Sequence, residues 1–86
     1  MVLYVLKSVE DLIDNLDYAK FILYKYIELS SDKYYLWIRA GCLAFKGEVD
    51  KETFSKISSK LSDLKKLGKN VIEFSEVVAE DVFYTL

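Results

Sequence analysis

Between Phe21 and Arg39 the chain reads F-I-L-Y-K-Y-I-E-L, then S-S-D, then K-Y-Y-L-W-I-R. Two runs dense in aromatic and β-branched residues flank three polar turn formers. That pattern predicts a β-hairpin with strands over 22–29 and 33–39. Short apolar runs are ambiguous by period, so a second reading stays open. In it a first helix continues to about Leu29 through Leu16, Ala19, Leu23, Tyr24 and Ile27, and another covers 32–46, giving a small all-α bundle. The poor strand propensity of Ala40-Gly41-Cys42-Leu43-Ala44 supports that alternative; the hairpin is the preferred reading.

The flanks are easier to assign. Val2–Leu6 is a strand candidate, too short for a stable helix. Ser8 is a good N-cap, with Glu10 and Asp11 in the first turn where the helix dipole favours negative charge. Val9, Leu12, Ile13 and Leu16 share one face and Glu10, Asp11, Asp14 and Asp17 the other, predicting a helix over 8–17. Lys46-Gly47-Glu48 reads as a stop. Asp50 is then an N-cap, Phe54, Ile57, Leu61 and Leu64 form an apolar stripe, and Gly68 fits the left-handed position that ends helices. The spacing predicts a second helix over Asp50–Leu67. Val71–Phe74 is a further strand candidate, and a short helix is expected from Ser75. The expected fold is α+β: two helices packed on a mostly antiparallel sheet, in the order β-α-β-β-α-β with a short C-terminal element.

Eighty-six residues make one domain, 1–86, able to bury only about 60–65% of its unfolded surface. Hydrophobic residues are 52% of the chain, more than a small core hides, so some aromatics are expected at the surface or in an interface. The net charge of −2 argues against a general phosphate-backbone binder. Charge is segregated: residues 7–17 are acidic, residues 51–69 carry six lysines, and the tail turns acidic again with Glu73, Glu76, Glu80 and Asp81. The single cysteine, Cys42, sits in the apolar stretch Ala40–Phe45 and is expected to be buried. With no histidine and one cysteine, no Cys/His metal set and no internal disulfide can form. The start lacks the pattern of a secretory signal, and no apolar run reaches the 18–20 or so residues of a membrane span. The expectation is a cytoplasmic protein with no membrane partner.

Chemistry-bearing motifs are missing from the sequence. Ser55, Ser58, Ser59 and Ser62 are helix-face positions without a Gly-rich elbow, and Gly41, Gly47 and Gly68 are isolated, so no loop cradles phosphate. The chain is expected not to be an enzyme and to need no cofactor. Tyr24, Tyr26, Tyr35 and Trp37 could stack bases, but no strand carries a basic-Gly-aromatic run, which disfavours nucleic acid. Protein remains as the expected partner, with Tyr24, Tyr35 and Trp37 as anchors and Lys56, Lys60 and Lys66 as steering charges. For Trp37 the competing reading is a core residue. A symmetric homodimer, touching through a sheet edge and residues 77–86, is a further expectation.

Leu23-Tyr24-Lys25-Tyr26, a turn, then Lys33-Tyr34-Tyr35-Leu36 resembles the hairpin of the C-terminal domain of MecA-type adaptor proteins. Leu3-Tyr4-Val5-Leu6 with Ser8-Val9-Glu10-Asp11-Leu12-Ile13 is similar to that domain's opening strand and helix start. Leu67-Gly68-Lys69-Asn70-Val71-Ile72-Glu73 and the final Thr85-Leu86 are similar to its closing segments. The turn is longer here, and the substrate-recruiting domain of those adaptors has no counterpart in these residues. The resemblance implies a module that docks on a Clp-type AAA+ unfoldase without recruiting cargo, as a regulator or decoy. The alternative is a small virus-, phage- or mobile-element-encoded accessory or inhibitor protein that acts as a homodimer.

Overall fold

The computed structural model describes residues 4–73. They form β1 (Tyr4–Val5), α1 (Val9–Ile13), a 3-10 turn (Leu16–Tyr18), β2 (Phe21–Ser30), β3 (Lys33–Ala40), β4 (Leu43–Asp50), α2 (Lys51–Lys66) and β5 (Asn70–Glu73). The fold is α+β, and the all-α alternative does not hold. The five strands make one sheet in the order β1-β4-β3-β2-β5. The long pairings, β2 with β3 and β3 with β4, are antiparallel; the short edge pairings, β1 with β4 and β2 with β5, are parallel.

The hairpin forms where the aromatic runs predict it. Its Ser31-Asp32 turn has no residue at positive φ, so it lacks the primed geometry that matches strand twist. The register shifts between Glu28 and Ser30 to absorb the mismatch. The next reversal is tighter. Gly41, at φ 63, and Cys42 connect β3 to β4, with glycine at the first central position as such a two-residue loop prefers. Cys42 is therefore exposed in a turn, not buried as its apolar neighbours suggest.

Strand β4 was absent from the sequence reading, which took Lys46-Gly47-Glu48 as a stop. Leu43, Phe45 and Val49 in fact alternate with Ala44, Lys46, Glu48 and Asp50 across the pleat. Gly47 belongs to the strand because the Phe45 ring lies over it; a Cβ at Gly47 would sit 3.2 Å from Phe45 Cζ. The element order is thus β-α-β-β-β-α-β, one strand longer than expected.

Both helices lie on one face of the sheet. Val9, Leu12, Leu16, Ile57, Leu61 and Leu64 pack on Ile22, Leu36, Ile38, Phe45, Val49 and Val71 in a single core. The first helix is shorter than predicted. Its Ser8 cap is in place, with Ser8 Oγ accepting from the Glu10 N–H, but the α-helix ends at Ile13 and tightens into the 3-10 turn. Helix α2 matches its signals closely. The Asp50 carboxylate accepts from the Thr53 N–H at 2.8 Å, and Gly68 ends the helix at φ 90. The helix expected from Ser75 and the dimer contacts expected at 77–86 lie outside the described residues.

Two outcomes follow. Leu61, buried mid-stripe on α2, should cost about 2–5 kcal/mol when cut to alanine, read by urea denaturation. The Thr53 hydrogen bonds hold the Asp50 carboxyl below its ordinary pKa, and a bond from Ser8 does the same for Glu10. Folding therefore favours the ionised forms. Their contribution is complete above the unfolded carboxyl values, about pH 4, and is lost as pH falls below them. Asp50→Asn keeps a capping acceptor but cannot titrate, so its stability should fall less steeply below about pH 4 in acid melts.

Candidate binding surface

The pleat separates the residues that the sequence grouped. Tyr24 is register-paired with Ile38 and points to the helix side, packed against the core. Tyr35 and Trp37 have the opposite parity and lie together on the other face, their rings 4.6 Å apart. These three aromatics do not form one patch. Lys56 and Lys60 line a shallow outer surface of α2 with Glu52, Ser59 and Asp63, and Lys66 is exposed in its last turn. Lys60 is already committed: its ammonium meets Asp17 at 2.9 Å. Lys69 Nζ donates to the carbonyls of Asp17 and Ala19. Together these contacts tie the 3-10 turn and its exit to the body of α2 and to the α2–β5 connection.

A different surface lies along the rest of β2. Strand β5 pairs with Phe21–Tyr24 of β2 as far as Glu73, the last of the described residues. Among the described residues, no strand pairs with the outer edge of β2 from Lys25 to Ser30. Tyr26, Ile27 and Leu29 on that stretch are exposed large hydrophobics. An edge of this kind offers backbone donors and acceptors to any extended chain.

Beside the edge, between β2 and α2, is a hollow of about 190 Å³ lined by Tyr24, Tyr26, Leu36, Phe54, Ile57, Ser58, Leu61, Ser62, Lys65 and Val71. Its outer wall is an aromatic cluster. Tyr34 and Phe54 are stacked, with centroids 4.0 Å apart and planes 6° from parallel, and Tyr26 tilts onto Phe54 at 4.8 Å. Burial, with the nearby Glu73 carboxylate, pushes the Tyr24 phenol up, so at neutral pH it keeps its proton and can donate. Its lining mixes apolar side chains with the hydroxyls of Ser58 and Ser62 and with Lys65, which suits a side chain with an apolar body. Among the described residues no His/Cys/Asp/Glu group is arranged to hold a metal.

The sequence reading named Tyr24 as an anchor, but took Tyr26 only as a base-stacking candidate and Phe54 only as part of the α2 stripe, and did not bring the three together. No protein-family model, curated protein or solved structure matches this chain.

The stacked pair gives a clean test. Tyr34→Leu keeps apolar bulk but removes the ring, so it should cost about 0.5–1.5 kcal/mol, the range of an aromatic pair beyond its area. Urea midpoints for Tyr34→Leu, Phe54→Leu and the double variant, combined as a cycle, measure it.

Proposed function

We propose that this chain is a non-catalytic protein-binding module that takes an extended segment of a partner protein along β2 beyond Tyr24. The observation that carries this reading is the juxtaposition of a strand edge bearing the exposed Tyr26, Ile27 and Leu29, with which no strand pairs among the described residues, and a largely apolar hollow. Strand addition draws affinity from main-chain hydrogen bonds and specificity from pockets for alternate side chains. Here the edge from Lys25 to Ser30 supplies the first, and the hollow behind Tyr26 and Phe54 supplies the second. Ile27 and Leu29 give the incoming strand apolar neighbours on the other face. The lysines of α2 remain as steering charges for an acidic partner, with Lys60 contributing less because it is paired to Asp17. Docking on a Clp-type unfoldase, as the sequence resemblance implies, is one case of this reading.

A second reading uses the same feature. An open edge can pair antiparallel with its own copy about a two-fold axis, giving the homodimer of the viral or mobile-element alternative. Sedimentation separates the two, since only the second predicts a dimer of the isolated chain.

The test is selection of peptides from a random display library, followed by amide-exchange mapping. Selected ligands should protect amides of Lys25–Ser30, and Ile27→Lys with Leu29→Lys should weaken them at least ten-fold while leaving the melting transition intact. Protection confined to the lysine face of α2 would overturn the strand-addition reading.

A further inference from the structure

Helix α2 presents two kinds of side chain to the hollow. Phe54, Ile57 and Leu61 belong to its apolar stripe. Ser58, Ser62 and Lys65 stand about one turn apart, so they form a second row along the edge of that stripe. Every side chain of the row ends in a hydrogen-bond donor. Among the described residues that line the hollow none is a carboxylate; Glu73, opposite Tyr24 on β5, is not one of them. Lys65 makes no ion pair among the described residues, whereas the Lys60 ammonium is held by Asp17. Helical side chains lean toward the helix N-terminus, so Lys65 extends from the far end of the hollow toward Ser62 rather than away from it.

We propose, resting on the strand-addition reading above, that the hollow selects a glutamate of the partner segment at the position opposite Tyr26, with its methylenes on the Tyr26 and Phe54 rings and its carboxylate among Ser58, Ser62 and Lys65. Directly opposite residues of neighbouring strands share a face, and Tyr26 lines the hollow. The residue that pairs with Tyr26 is therefore the one aimed into it. Its neighbour opposite Ile27 turns to the other face and meets an exposed aliphatic side chain, which selects an aliphatic residue there. Charge selects the occupant of the hollow. A wholly apolar side chain would take the Lys65 ammonium and two hydroxyls out of water without a partner, a net penalty. A lysine or arginine would meet Lys65 as a like charge. A carboxylate instead accepts charge-assisted hydrogen bonds from the row. Aspartate is one methylene shorter and cannot cover the rings and reach the donors together. The wider surface agrees in sign, since α2 carries five lysines against Glu52 and Asp63.

Selection of a random peptide display library on the unmodified chain, Lys65→Glu and Lys66→Glu tests the proposal. Lys66 is next in the sequence but does not line the hollow, so it controls for long-range attraction. Ligands of the unmodified chain should carry a glutamate with an aliphatic residue beside it. Glutamine at that position of a synthetic ligand should weaken binding at least five-fold. Lys65→Glu should move the selected residue from glutamate to lysine or arginine, and Lys66→Glu should leave it glutamate. Lys65→Met keeps the stem and should abolish the preference with the melting transition unchanged. Amide exchange separates this inference from the reading beneath it. Ligands that protect Lys25–Ser30 but show no glutamate preference, or keep it on Lys65→Glu, would overturn the glutamate site and leave strand addition standing. Equal loss of the preference in both charge variants would reduce it to long-range attraction and also overturn the site. Ligands that protect no amide of Lys25–Ser30, or a library that yields no ligand, would overturn both.

Discussion

The register of β2, β3 and β4 is the constraint on which the rest of the molecule depends. It sets Tyr24, Ile38 and Phe45 on one face and Leu23, Arg39 and Ala44 on the other. A slip of one residue would exchange these sets, bringing Arg39 under α2 and Ile38 out of the core. The penalty is steep, because stranding a buried charge without its partners costs about 3–5 kcal/mol. Arg39 is held against such a slip by local contacts. Its Nε donates to the Gly41 carbonyl at 2.7 Å, and its guanidinium lies 5.6 Å from the Phe21 ring centre. The Gly41-Cys42 reversal thus fixes both the β3–β4 register and one hydrogen bond of the buried arginine.

What was legible in the sequence was local. Asp50, the α2 stripe and Gly68 are adjacent signals that agree with one another, so helix α2 follows from them almost residue by residue. The hairpin follows from composition and a polar turn. Strand β4 was hidden because glycine is read as punctuation, and nothing local reveals that Gly47 serves to admit the Phe45 ring. Cys42 was misplaced for the related reason that an apolar stretch can bend: Gly41 turns it, and the cysteine rides outside.

The candidate surface was less legible, and the reason is pairing. Grouping Tyr24 with Tyr35 and Trp37 requires the strand parity across a turn. That turn here is an unprimed one, corrected by a register shift near Leu29. The surface beside β2 depends on which stretch of β2 pairs with β5, a property of two segments about fifty residues apart in the chain. Residue types alone would also mark the far face, with Tyr35, Trp37, Lys25 and Arg39, as a base-stacking platform. Burial argues against that use: a phosphate cannot reach an arginine that is 1% exposed.

The two faces and the edge then form one arrangement. Parallel pairing of β5 with β2 requires α2 to cross over β3 and β2, because parallel neighbours need a long connection. That crossover places the Phe54 end of α2 beside Tyr26 and Tyr34, away from β5, and the Leu64 end beside Val71. Helix α2 is sixteen residues long, and its first turns lie along β2 on the hairpin side of the residues that pair with β5. The hollow lies between those turns and β2. The ring cluster at Tyr26, Tyr34 and Phe54 packs this end of α2 on the sheet, with Tyr34 and Phe54 also closing off the core beneath it.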